Sequence, residues 1–192
     1  MKVYIIDNLS SSIEHLEQLI SETISKPKVI KYNQLDHDDI NPQDIVILSG
    51  SHEHTAIWNG DIFKNEVDII KHHKGMLIGV CLGHQLIAHA YGSHVHKLPE
   101  RLYGLRGIRP TIETDLMDGI EDASVFESHN WSIQKINDPL IELASSDAGI
   151  EILKHKNKPT FGVQFHPEAL NTGDGRVIFE RIIKEIGLTQ IY

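Results

Sequence analysis

Apolar positions in the first half of the chain follow two rhythms: short unbroken runs, and longer stretches in which they recur every three or four residues. The runs "KVYIID" (2–7), "KVIKY" (28–32), "DIVILSG" (44–50) and "MLIGV" (76–80) are strand-length, which predicts parallel strands buried on both faces. Between them Ile13, Leu16, Leu19, Ile20 and Ile24 recur at helical spacing, preceded by the capping candidates Ser10 to Ser12. Ile62, Val67 and Ile70 predict a second helix over 62–73, and Leu82 to Tyr91 can form a third. Strands that alternate with helices imply an α/β class, here a single-domain layered fold with a mostly parallel central sheet flanked by helices.

After Gly92 the runs shorten. "ESHNWSIQKI" (127–136), "IELASS" (141–146), "GIEILKH" (149–155) and "TFGVQF" (160–165) are separated by Asp, Asn, Pro and Gly, and read as strands and turns. A closing helix is expected over 174–186, with Ile178, Ile182, Ile183 and Ile186 on one face and Gly187 as its stop. No internal repeat, linker or low-complexity segment divides the chain, so one domain is expected over residues 1–192.

Composition narrows the function classes. The 192 residues suffice for one sizeable core, and a net charge of -9 without any basic block argues against nucleic acid as a partner. No apolar run approaches the roughly 18 residues of a membrane span, and "MKVYIIDNLS" is too briefly apolar for a signal-peptide core, so a cytoplasmic protein is expected. His52 and His54, His72 and His73, and His94 and His96 are close pairs, but none has a carboxylate or cysteine at ligand spacing, and no metal site is expected. No phosphate-binding glycine loop of the G-x-x-x-x-G-K-[ST] kind is present.

The one cysteine cannot form an internal disulfide, so Cys81 is either a core residue or a reactive one. Its setting, "GVCLGHQLIAHAYG" (79–92), is a glycine-flanked turn from a buried strand into a helix. Such a turn projects a nucleophile while the helix N-terminus stabilises negative charge, and the Leu82 amide would point towards an oxyanion beside the sulfur. Far along the chain, "TFGVQFHPEAL" (160–170) ends a strand with His166, Pro167 and Glu168. A thiol nucleophile needs a base with a carboxylate behind it, and His166 with Glu168 supplies that pair. Thirteen histidines make any one of them commonplace; the combination of elbow and His-Pro-Glu is what carries weight.

On these two motifs the chain resembles the class I glutamine amidotransferases over nearly its whole length, in the form seen in glutaminase subunits of two-chain GMP synthetases. The resemblance implies a flavodoxin-like fold with Cys81 as nucleophile, His166 as general base and acid, and Glu168 as the orienting carboxylate. It further implies an oxyanion hole from Leu82 and the turn at Gly50 and Ser51, and glutamine binding by Gln85 and by the backbone near Asn130 and Trp131. Where that family turn usually reads Ser-Gly-Gly-Pro, this chain has Ser49, Gly50, Ser51 and His52. If the position needs positive φ, Ser51 would cost on the order of 1 kcal/mol. The implied partners are L-glutamine and an ATP pyrophosphatase synthetase subunit, which would hold the ATP and Mg, with no cofactor in this chain. A stand-alone γ-glutamyl hydrolase and a non-catalytic regulatory subunit remain open as alternatives.

Overall fold

Burial along the central strands alternates between two cores, and that alternation fixes the layering. In the first strand Val3 and Ile5 pack into one apolar cluster while Tyr4 and Ile6 pack into the other. Ile45 and Ile47 are divided from Val46 and Leu48 in the same way. A strand that buries both faces can only be internal to a sheet covered on both sides. The computed structural model describes residues 1–36, 40–55, 60–120, 123–170 and 173–189, so the expected 1–192 range extends beyond the described residues.

The strands are β1 (Val3–Asp7), β2 (Lys28–Lys31), β3 (Ile45–Leu48), β4 (Leu77–Val80), β5 (Val95–Gly107), β6 (Arg109–Pro110), β7 (Ser124–Ile133), β8 (Leu140–Ser146), β9 (Gly149–His155) and β10 (Thr160–Val163). Helices are α1 (Ile13–Thr23), α2 (Lys64–His72), α3 (Leu82–Ala90) and α4 (Gly175–Thr189). The main sheet has the order β2-β1-β3-β4-β10-β9-β8-β6, while β5 and β7 form a separate antiparallel ribbon. From β2 to β10 all neighbours are parallel; β9, β8 and β6 continue the sheet antiparallel. Leu16, Leu19 and Ile20 of α1 cover one face with Ile178, Ile182 and Ile186 of α4, and Ile69 and Ile70 of α2 join Leu86 and Ile87 of α3 on the other. This is the expected α/β layering with a mostly parallel sheet. Among the described residues no helix is long and apolar enough to cross a membrane.

The elements differ from the sequence expectation in several places, among them β7, which runs over 124–133 and not 127–136. The second helix begins at Lys64, because Gly60–Phe63 form a 3₁₀ turn in which Phe63 is fully buried and Ile62 is exposed. The last helix runs through Gly187 to Thr189; Gly187 has no left-handed φ of the kind that ends a helix, so it is an interior glycine and not a stop. The 13-residue β5 is almost wholly exposed, so it lacks the apolar alternation by which a strand is recognised.

What positions the site is the adjacency of β3, β4 and β10. Their carboxyl ends lie side by side, and the crevice beyond the carboxyl ends of parallel strands is where open α/β sheets bind ligands. Residues 49–52, 81–82 and 164–168, far apart in sequence, follow these three strands.

Candidate active site

Cys81 occupies the turn between β4 and α3 with φ 51° and ψ -101°, a left-handed conformation that non-glycine residues adopt at a cost of roughly 1–3 kcal/mol. Its neighbours hold it there. The Cys81 amide donates to the Val163 carbonyl at 2.9 Å, and its own carbonyl accepts from the Gln85 amide at 3.1 Å. The flanking glycines let strand and helix approach closely: a Cβ on Gly79 would sit 2.4 Å from the Gly83 carbonyl carbon and oxygen, and one on Gly83 would sit 2.4 Å from the Leu48 carbonyl oxygen. Cys81 is consequently 5 % exposed, at the floor of a cavity of about 580 Å³ that Leu82, Ser51, Gln85 and His166 also line.

His166 and Glu168 follow β10. The His166 amide donates to the Phe126 carbonyl at 2.9 Å, tying this segment to β7. His166 Nδ1 lies 2.8 Å from Glu168 Oε1, with the carboxylate side chain 1 % exposed and the imidazole 12 %. That bond leaves Nε2 buried without a hydrogen-bond partner among the described residues. Burial opposes charge on this ring, but Cys81 and the Glu168 carboxylate beside it outweigh burial and hold the imidazole well above its ordinary range. Gly50 closes the third side, where an added Cβ would stand 3.3 Å from both Cys81 Cβ and His166 Cε1.

Among the described residues the amides of Leu82, Gly50 and Ser51 donate to no protein acceptor. Ser51 does not have positive φ, so the expected backbone cost is not incurred. Its hydroxyl instead accepts from the amides of Glu53 and His54 at 3.1 and 3.0 Å, folding the next turn. Asn130 and Trp131 line the cavity from β7, and Gln85 reaches them from the first turn of α3, donating Nε2–H to the Trp131 carbonyl at 3.0 Å.

Two groups near Cys81 were not anticipated from sequence. Gln164, fully buried, accepts from Gln85 Nε2 at 3.1 Å and turns its own Nε2 towards Cys81 Sγ at 3.6 Å. His129 also lines the cavity, with Nδ1 2.8 Å from the Trp131 carbonyl oxygen. For Gln164 the available signal was a polar residue at the end of the apolar run "TFGVQF", since a buried side-chain amide needs partners.

The family model described as glutamine amidotransferase class-I matches residues 4–186. The chain belongs to the class-I glutamine amidotransferase family. A Picrophilus torridus protein named as one of the subunits of glutamine-hydrolyzing GMP synthase is 33% identical, covering 96% of this chain and 98% of its own. The protein of the same name from Methanococcus maripaludis (strain C5) is 31% identical over 96% of this chain and 97% of its own. Among solved structures, a Thermoplasma acidophilum protein described as the corresponding GMP synthase chain superposes with a TM-score of 0.86 at 25% identity, covering 99% of this chain and 96% of that one. A glutamine amidotransferase from Thermotoga maritima, at 16% identity and TM-score 0.71, shares the fold over all of this chain and 86% of that one. In this class-I amidotransferase chain the elbow cysteine and the His-Glu pair lie within the matched residues 4–186.

Proposed function

We propose that the chain hydrolyses L-glutamine to glutamate and ammonia at Cys81, and delivers the ammonia to a separate synthetase chain. The observation that carries this reading is the convergence of a strained, helix-capping Cys81 with a His166–Glu168 pair whose Nε2 is left free. Cys81 as thiolate attacks the side-chain amide carbon of glutamine, pushing the carbonyl electrons onto oxygen. The amides of Leu82 and of Gly50 or Ser51 are the donors for that oxyanion. His166, kept charged by its neighbours, gives its Nε2 proton to the departing ammonia as the thioester forms. The same nitrogen then takes a proton from water, which attacks the thioester and releases glutamate. Glu168 keeps the ring in the orientation that both steps require.

Gln85 and the Asn130–Trp131 backbone are assigned to glutamine binding. The synthetase chain is an ATP pyrophosphatase that carries the ATP and Mg, and the acceptor is XMP, yielding GMP. Support for that acceptor comes from the names of the full-length relatives, which are subunits of a glutamine-hydrolysing GMP synthase. The test is glutamate release and GMP formation by the chain alone, then with an ATP pyrophosphatase subunit from the same source, ATP and XMP. An oxyanion donor is worth roughly 10²- to 10³-fold in turnover, so stimulation of that order is expected if docking completes the Gly50–Ser51 turn. Fast hydrolysis alone with no stimulation and no GMP would instead favour a stand-alone γ-glutamyl hydrolase.

A further inference from the structure

Beside Cys81 two carboxamides are locked in one order by a single backbone carbonyl. A carbonyl oxygen only accepts, so the Gln85 atom that stands 3.0 Å from the Trp131 carbonyl oxygen is its nitrogen, Nε2. The second hydrogen on that nitrogen meets Gln164 at 3.1 Å; two amide nitrogens cannot serve each other, so the facing atom is Gln164 Oε1. What remains of the Gln164 carboxamide is Nε2, and it stands 3.6 Å from Cys81 Sγ. Turning over either amide would set nitrogen against nitrogen or oxygen against oxygen. The order needs no ionised neighbour, because sulfur accepts an N–H whether or not it carries a proton.

Gln164 is confined as well as ordered. It directly follows β10, its amide donates to the Glu151 carbonyl at 2.8 Å, and its side chain is fully buried. A buried carboxamide without partners costs about 1–3 kcal/mol per unsatisfied group, which favours this row over any looser arrangement. At one end the row meets the sulfur. The left-handed backbone of Cys81 fixes its Cβ but leaves Sγ the usual staggered positions about χ1. In the observed one Sγ is 3.6 Å from Gln164 Nε2 and 3.9 Å from where a Cβ on Gly50 would stand, and the N–H···S contact selects it. At the other end both hydrogens of Gln85 Nε2 are engaged, so Gln85, which lines the cavity, has Oε1 as its one uncommitted amide atom.

We propose that Gln164 is a positioning residue for the reaction: one carboxamide that holds Cys81 Sγ in a single rotamer and leaves Gln85 only its oxygen to offer the bound substrate. The proposal rests on the reading that Cys81 is the nucleophile. Gln164 acts on aim, through the Cys81 rotamer and the Gln85 orientation, and not on the acidity of the thiol.

Two alkylating reagents separate aim from acidity. Iodoacetamide is small and meets the sulfur in any rotamer, whereas a glutamine-mimicking chloroketone at saturation reacts only with a sulfur aimed at its seated side chain. Both consume the thiolate of the one cysteine, so the thiolate fraction cancels in the ratio of their rates. Gln164→Met keeps the length and burial of the side chain but removes both its donor and its acceptor. It is expected to lower the ratio of the saturated chloroketone rate to the iodoacetamide rate roughly 10- to 100-fold, with a weaker hold on the chloroketone as Gln85 loses its orientation. A ratio equal to that of the wild type overturns the proposal, whether both rates are unchanged or both fall together, since lost packing or a shifted thiol acidity alone would give that result. A crystal structure of the wild-type chain supplies a second test that does not depend on how Gln164→Met folds. One Cys81 rotamer with the Gln164 carboxamide against the sulfur is expected; sulfur density divided between rotamers overturns the proposal. The expected ratio and rotamer in a chain that releases no glutamate would sink the glutaminase reading and leave the hold of Gln164 on the sulfur standing.

Discussion

At Gly50 a single hydrogen replaces a side chain because Cys81 and His166 leave no more room. The Cβ of an alanine there would meet Cys81 Cβ and His166 Cε1 at 3.3 Å, tighter than ordinary contact, so one of the reacting groups must give way by a few tenths of an ångström. Because a reacting pair tolerates little misplacement, Gly50→Ala is expected to lower kcat for glutamine hydrolysis by roughly 10- to 100-fold while changing KM and thermal stability far less. Steady-state kinetics beside a melting curve would check this, and an unchanged kcat would show that the turn does not touch the reacting atoms. The residue scale also shows why some of the site was legible and some was not. Cys81, His166 and Glu168 announce themselves by local context, a glycine-flanked strand-to-helix turn and a proline-spaced pair at a strand end. Gln164 carries no such mark, because its partners Gln85 and Cys81 come from helix α3 and the turn before it, far away in sequence.

At the scale of elements, the turn after β3 is held by α2 through a buried amide. Asn8 Nδ2 donates to the Ser49 carbonyl at 3.1 Å and to Glu66 Oε1 at 3.1 Å, while the Asn8 amide donates to Ser49 Oγ at 2.8 Å. Burial pushes the Glu66 carboxyl up from 4.5 to about 8, against the lowering effect of Asn8. Unfolded, the group ionises near 4.5; between that value and about 8 the native state holds the extra proton. Stability from this group is therefore full below pH 4.5 and is lost as pH rises through about 8, with a slope of at most about 1.4 kcal/mol per pH unit. Glu66→Gln keeps an acceptor for Asn8 without the titration. Its melting temperature relative to wild type is expected to rise steadily from about pH 5 to 8. Parallel curves across that range would contradict the assignment of a buried neutral Glu66. The elements themselves were readable to the degree that burial is two-sided: β1, β3 and β4 appear as unbroken apolar runs, whereas the exposed β5 leaves no periodic trace and Ile62 mimics a helical face that Phe63 in fact occupies.

For the molecule as a whole, the chemistry is assembled by topology. β3, β4 and β10 are neighbours in space although about 115 residues of sequence separate the first from the last, and the loops that follow them bring Gly50, Cys81 and His166 together. The β5–β7 ribbon then supplies the opposite wall with Asn130 and Trp131. The sequence pattern implied a parallel sheet but not the strand order, which is why the motifs could be paired from sequence only by resemblance to a family. The central claim is that this assembly makes Cys81 a nucleophile towards glutamine. Its most direct test is mass spectrometry of the intact protein after treatment with a glutamine-mimicking chloroketone, alongside glutamate release by wild type and Cys81→Ala under the partner conditions above. One label on the wild-type chain at Cys81, no label on the alanine variant and no glutamate released by that variant are the results expected. Appreciable glutamate release by a folded Cys81→Ala protein would contradict the account.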